Sequence, residues 1–185
     1  MKNIGTKNLE TERLILRKFV PSDYIKAYEN YCTDENVTRY MTWYPHKDLN
    51  ETKELVNGWV SKYNDNKFYN WVITLKDVDE AIGSISVVEI DEAKEEVEIG
   101  YCIGYTYWNK GLVTEATKKV IEYLFEEAEV KSIIAKHDSR NEGSGRVMQK
   151  CNMMYYGEQS YTNKGEDVSL KVYQLLKEDF INSIM

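Results

Sequence analysis

Two prolines, two histidines and three cysteines are all that the 185 residues carry of those types. So few prolines, with only ten glycines, exclude a collagen-like or low-complexity chain. Cys32, Cys102 and Cys151 are odd in number and form no CxxC pair. Neither a zinc knuckle nor a redox dithiol is therefore expected; the cysteines read as reduced thiols, and no metal is expected. His137, Asp138 and Ser139 supply triad residue types, but sequence neighbours rarely converge in triad geometry. No apolar run reaches the length of a membrane span. The opening MKNIGTKNLETERLILRKF carries charge throughout and resembles no signal peptide. A cytoplasmic protein is expected, with no membrane partner. The net charge of −7 argues against nucleic acid as a partner.

What the chain does have is the balance of a globular fold, 42% hydrophobic and 30% charged residues, in a length that suits a single domain over residues 1–185. Residues 12–19 alternate as a first strand, and Pro21 is expected to open a helix through PSDYIKAYENYC. A second helix is expected from about Asn50 to Tyr63, with Leu55, Trp59 and Val60 as its apolar stripe. Residues 68–75, 81–90 and 97–104 read as strands of an antiparallel meander. A helix from about Val113 to Ala128 follows, with Val113, Ala116, Val120, Leu124 and Ala128 near one face. The strand KSIIAKH after it implies a parallel neighbour, because a strand–helix–strand crossover requires one. A helix through GSGRVMQKC and strands MYYGEQ and SLKVYQLL complete the chain. The sum is an α+β fold, a mixed sheet of about six or seven strands flanked by helices.

The stretch YTYWNKGLVTEATKK, residues 105–119, poses a chemical question. Its second half reads as a helix without a convincing capping box. A helix N-terminus leaves its first N–H groups without intrahelical partners and carries positive partial charge. A glycine before such an end lets the backbone approach phosphate oxygens, and Lys110 adds charge. An ordinary strand-to-helix turn is the alternative. The GK[ST] and GxGxxG orders are both missing, so neither a Walker loop nor a dinucleotide fingerprint is present.

Taken together, EIGYCIGYTYWNKGLVTEA and NEGSGRVMQKCNM resemble the GNAT superfamily of acyl-coenzyme A-dependent N-acetyltransferases. The opening LETERLILRKFVPSDYIKAYENYCTDENVTRYM resembles its ribosomal-protein alanine N-acetyltransferase (RimJ/RimL-like) branch. The resemblance implies the GNAT fold, with a parallel, splayed strand pair at an acetyl-coenzyme A site. It implies a loop over Trp108, Asn109, Lys110, Gly111, Leu112, Val113 and Thr114 for the diphosphate. Gly111 matches the family pattern. Trp108 stands where a basic or amide residue is usual, Asn109 where glycine is common, and Val113 where the family is smaller. Backbone groups of Tyr101, Cys102 and Ile103 would meet the thioester, an oxyanion-hole effect. Asn141 and Ser144 match N-x-x-S, with Asn141 on the pantetheine arm. Asn152–Met153 replaces the usual Gly-Phe.

By strand alternation Glu98 shares a face with Gly100 and Cys102. The resemblance nominates it as general base, since an alkyl amine arrives protonated and must lose a proton to attack. A solvated glutamate is the alternative. Ser144 is nominated as acid for the leaving thiolate, in place of the tyrosine many relatives carry where Met148 lies; Tyr155 and Tyr156 are reserves. Tyr40, Trp43 and Tyr44 are candidates to line an acceptor groove. Asp91, Glu92, Glu95, Glu96 and Glu98 crowd one hairpin end and are expected to draw in a cationic acceptor. The acceptor is a primary amine, either a protein N-terminus or a polyamine-like small molecule. A non-catalytic acyl-coenzyme A sensor is the alternative function.

Overall fold

The computed structural model describes residues 1–184. Leu14 and Leu16 are fully buried while Ile15 and Arg17 are half-buried, the period-two burial of a strand. The strands are β1 (Leu9–Glu10), β2 (Leu14–Arg17), β3 (Asn70–Leu75), β4 (Ala81–Asp91), β5 (Glu96–Ile103), β6 (Ser132–Asp138), β7 (Met154–Asn163) and β8 (Glu166–Leu176). They are hydrogen-bonded in the order β1-β2-β3-β4-β5-β6-β8-β7. The fold is the expected α+β arrangement with a mixed sheet, and the short β1 is the eighth strand. Among the described residues no helix is long and apolar enough to cross a membrane.

The chain divides into two compact units. One comprises residues 3–86 and 101–119. In it β2, β3 and β4 pair antiparallel, Leu16 opposite Ile73 and Ile73 opposite Gly83. Its helices are α1 (Asp23–Ala27), α2 (Glu35–Thr38) and α3 (Leu49–Lys62). Phe19, Ala27, Tyr31, Cys32, Val37, Val56 and Val72 form its core.

The helix expected from Pro21 begins later, at Asp23. The Asp23 carboxylate accepts the Val20 N–H at 2.8 Å and the Asp23 N–H donates to the Val20 carbonyl, so Pro21 belongs to a turn. After Ala27 the helix widens into a π-helical turn, Tyr28–Cys32. The stripe of α3 is in part as expected, since Trp59 and Val60 pack against the core. Thr52 and Val56 are the buried positions and Leu55 is exposed. Asp48 caps α3, accepting the N–H groups of Asn50 and Glu51 at 2.8 and 3.0 Å.

The other unit comprises residues 1–2, 87–100 and 120 onward. Here β5 pairs parallel with β6, from Glu96 opposite Ser132 to Ile99 opposite Ala135. Strand β8 pairs antiparallel with both β6 and β7. The crossover between the parallel strands is α4 (Leu112–Glu126). Its first residue, Leu112, is buried and Val113 only half-buried, so the apolar face starts one position earlier than expected. Helix α5 (Glu142–Lys150) links β6 to β7. A last helix, α6 (Lys177–Ile184), was not expected from the sequence; its Phe180 ring lies 5.1 Å from that of Phe125.

The π-helical turn comes close to the strand end in its own unit. Asn30 donates its side-chain amide to the Ala81 carbonyl at 2.8 Å. A Cβ at Gly104 would lie 2.5 Å from the Asn30 carbonyl oxygen. Only glycine fits there without moving the turn. Gly104→Ala is expected to destabilise the protein by about 1–3 kcal/mol, the range for overpacking. Urea denaturation measures it, and an unchanged midpoint would show that the turn yields freely.

Candidate functional site

The loop between β5 and α4 is built from two left-handed residues around one lysine. Asn109 has φ +60° and Gly111 φ +75°, conformations that asparagine and glycine adopt most readily. Asn109 thus does the conformational work of the glycine usual at its position. The first intrahelical bond of α4 runs from the Glu115 N–H to the Gly111 carbonyl at 3.0 Å. The N–H groups that open the helix precede it, as at any helix start. Trp108 folds back: its indole N–H donates to the Ile103 carbonyl at 2.9 Å and its ring meets Tyr105 edge-on at 5.0 Å. It is a strut for the loop. The Lys110 ammonium sits 5.6 Å from the centre of the Tyr107 ring.

Arg13 and Glu115 clamp this loop. The Arg13 guanidinium donates to the Lys110 carbonyl at 3.0 Å and to the Glu115 carboxylate at 2.7 Å. Glu115 also accepts the Arg13 backbone N–H at 2.9 Å and the Thr11 hydroxyl at 2.5 Å. Burial opposes the charge of Glu115, but these hydrogen bonds outweigh it and hold its pKa below the usual carboxylate value. Sequence reasoning missed the pair, and its one visible signal was an acidic residue in the first turn of α4.

The residues expected at the thioester face opposite ways along β5. The Gly104 N–H donates to the Ile82 carbonyl at 2.9 Å, and the Cys102 carbonyl is so near β4 that a Cβ on Gly83 would meet it at 2.4 Å. By alternation the backbone groups of Tyr101 and Ile103 turn away from β4. The half-buried Cys102 thiol lies 3.3 Å from the Ser84 hydroxyl. Burial pushes its pKa up, so it is no thiolate nucleophile at neutral pH. The aromatic trio also divides: Trp43 packs against the core of its unit, while Tyr44 is exposed.

In the other unit, Glu98 lies on the sheet face expected for it, beside the buried Val97 and Ile99. Its carboxylate is paired with Lys136 at 2.8 Å. Beyond β6, Asp138 shapes the turn by accepting the Arg140 backbone N–H at 2.9 Å and its guanidinium at 2.9 and 2.7 Å. The Arg140 hydrogen bond holds Asp138 below the ordinary carboxylate range. His137 bonds through Nδ1 to the Asp138 main-chain oxygen at 2.8 Å, so no triad forms.

Asn141 ends that turn as the N-cap of α5, its Oδ1 accepting the Ser144 N–H at 3.2 Å. Ser144 is thereby held three residues into the helix. Met148 is buried, and Tyr155 and Tyr156 are exposed on β7. Asn152, with φ +61°, supplies the left-handed residue after α5. The Asn152 N–H donates to Gln149 and the Met153 N–H to Met148, a Schellman closure in which two buried methionines stand at the paired positions.

The acidic hairpin is not the bare anionic surface expected. Asp91 pairs with Lys94 at 2.9 Å. Glu95 pairs with Lys131 and with the Met1 ammonium; the Lys131 bond, above all, holds its pKa at about 2. Glu96 accepts from the Ser132 hydroxyl and the Gln174 amide at 2.7 and 3.1 Å.

Residues 13–154 match the acetyltransferase (GNAT) domain family. The chain belongs to the GNAT acetyltransferases. It is similar to the uncharacterized N-acetyltransferase p20 of Bacillus licheniformis, 29% identical over 176 residues, 94% of this chain and 98% of that one. A solved GNAT-family acetyltransferase from Bacillus anthracis superposes with a TM-score of 0.82 at 26% identity, covering 93% of this chain and 99% of that one. The fold is shared too with the microcin C7 self-immunity acetyltransferase MccE, solved with acetyl-CoA and AMP, at a TM-score of 0.78 and 20% identity, covering 90% and 93% of the two chains.

One of the groups expected to make the acetyltransferase acid-sensitive is the buried His137. His137 Nε2 is buried without a hydrogen-bond partner among the described residues, and a Cβ on Gly145 would meet it at 2.9 Å. Burial pushes the imidazole below its ordinary value of 6.5. The folded state therefore binds this proton less readily than the unfolded chain, which takes it up near about pH 6.5. The group is expected to lower stability as pH drops below about 6.5. His137→Gln is expected to flatten the dependence of the urea midpoint on pH between 7 and 5.5. An unaltered slope would locate the acid sensitivity in other groups.

Proposed function

We propose that residues 1–185 act as one cytoplasmic acetyltransferase domain that moves an acetyl group from acetyl-coenzyme A to a primary amine by direct attack. The observation that carries this reading is the clamped loop at the start of α4. Two left-handed residues and the Arg13 guanidinium hold its backbone, and the helix opens at Leu112. A helix opening with a glycine before it suits a diphosphate, whose oxygens accept from the first-turn N–H groups. Leu112, Val113 and Thr114 supply that turn, and Lys110 adds its charge. The departures from the family pattern leave those donors intact. The acetyl-CoA in MccE supports the same choice of donor here.

In this reading the backbone N–H groups of β5 near Tyr101, Cys102 and Ile103 polarise the thioester carbonyl. The alternation described above favours Tyr101 and Ile103 over Cys102. Asn141 uses Oδ1 to cap α5, so its amide NH2 is the group offered to the pantetheine arm. The amine nitrogen bonds to the carbonyl carbon, the C–S bond breaks, and the thiolate leaves. Glu98 takes the amine proton, directly or through water, and the Ser144 hydroxyl donates toward the leaving sulfur. The raised pKa of Cys102 removes a reason to invoke an acyl-enzyme. The acceptor is a protein N-terminus or a small amine.

The loop is tested by comparing two substitutions at Gly111. Both strain a position with positive φ, but Asp tolerates that conformation better than Ala. If the diphosphate sits there, Gly111→Asp should bind coenzyme A more weakly than Gly111→Ala by calorimetry, because only Asp adds negative charge. Equal affinities in two folded variants would count against the site.

Glu98→Gln is expected to lower turnover by about 10²–10⁴-fold at neutral pH with acetyl-coenzyme A affinity retained. Raising the pH should restore part of the rate, since an alkyl amine titrates near about 10. Thiol release across an amine panel measures this, and wild-type turnover at every pH would remove Glu98 from the chemistry. No thiol release by the native protein with any amine would favour the sensor alternative.

A further inference from the structure

The parallel pairing of β5 with β6 stops at Ile99 opposite Ala135. Lys136 is the first residue of β6 after that point. Glu98 stands opposite Ile134, so Lys136 lies two residues further along on the same face. Diagonal neighbours of this kind are within reach of long side chains. The Glu98 carboxylate and Lys136 ammonium meet at 2.8 Å, with side chains only 16% and 21% exposed. Glu98 is therefore drawn forward, toward the C-terminal ends of both strands, to the place where they stop pairing. Gly100, next on the Glu98 face, has no side chain to fill that place, and a Cβ there would meet Val88 at 3.2 Å.

We propose that Lys136 is a positioning residue for acetyl transfer: its ion pair with Glu98 holds the carboxylate at the mouth of the β5–β6 fork, where the acceptor amine is deprotonated. The proposal rests on the role given to Glu98 above. A carboxylate on a two-carbon arm has several rotamers, and an unpaired one would sample them at the expense of the productive one. A half-buried cation one strand away selects a single direction. The ammonium has three donors and no acceptor, so it cannot take the amine proton itself while charged. Its action is on Glu98 alone. An incoming amine completes the set of donors around the carboxylate without having to orient it.

Three variants test this: Lys136→Met, which keeps length and removes charge; Lys136→Arg, which keeps charge; and Lys136→Met combined with Glu98→Gln. Thiol release from acetyl-coenzyme A is followed with an alanine-starting tripeptide and with n-butylamine as acceptors, and thermal unfolding checks each fold. Misplacing a catalytic group by about 1 Å costs about 10²-fold, so Lys136→Met should lose on the order of 10²-fold in kcat. KM for acetyl-coenzyme A should stay unchanged, and Lys136→Arg should recover most of the rate. The double variant should be no slower than Glu98→Gln alone, because a residue acting only through Glu98 has nothing left to position. Wild-type kcat in Lys136→Met would overturn the proposal while leaving the acetyl-transfer reading intact. So would a double variant slowed by the product of the two single effects. A native protein inactive toward both acceptors and the wider amine panel would overturn the acetyl-transfer reading itself, and this inference with it.

Discussion

Four residue pairs of parallel strand, Glu96–Ile99 against Ser132–Ala135, govern how the candidate site residues of their unit are arranged. Parallel strands cannot be joined by a tight turn, so the chain must leave β5, run through a helix and return. That requirement creates α4, and with it the helix opening on which the proposed diphosphate site depends. The same pairing sets the register that puts Glu98 and Lys136 on one face. Where it stops, β6 continues alone against β8 as far as Asp138 opposite Leu170. Asp138 then builds the turn that delivers Asn141 to the head of α5. The buried carboxylate accepts three hydrogen bonds from Arg140, and breaking such a pair from one side would leave an uncompensated charge.

The departures from the family pattern are absorbed by local physics. Asn109 and Asn152 replace glycines and both take the left-handed conformation, at a cost that asparagine keeps small. Trp108 cannot do what a basic residue does, and its indole instead fastens the loop to the end of β5. Val113 is half-buried, while Leu112 takes the apolar position ahead of it. In each case the side chain is put to another use. The backbone-based anion site proposed here would tolerate this, because its donors are N–H groups common to nearly every residue.

What was legible in the sequence was what repeats at short range. Period-two burial announced β2 and β5 and put Glu98 on its face; helical periodicity announced α3 and α4. Thr52 goes unrecognised on the buried face of α3 because it is buried through a hydroxyl that lies 2.6 Å from His46 Nδ1. No apolarity scale would credit that residue to the core. Strand β1, only two residues long, had no room to show a period. The Arg13–Glu115 clamp joins residues 102 positions apart, and the Lys136–Glu98 pair joins 38. Nothing local marks either partner, since a charged residue looks the same whether it is solvated or fixed.

Charge in the hairpin shows why counting residues misleads. Five carboxylates in the eight residues Asp91–Glu98 suggest an anionic funnel. The fold supplies a lysine to Asp91, to Glu95 and to Glu98, and neutral donors to Glu96. Each pair cancels most of its field beyond a few ångströms, and salt screens what is left over about 8 Å. Long-range attraction is then a weak basis for choosing an acceptor. In the proposed transfer, selection would then rest on contacts near the reacting nitrogen, where the Glu98 carboxylate paired with Lys136 matters more than the number of carboxylates around it. A site organised in this way would discriminate by where the amine reaches rather than by how strongly it is charged.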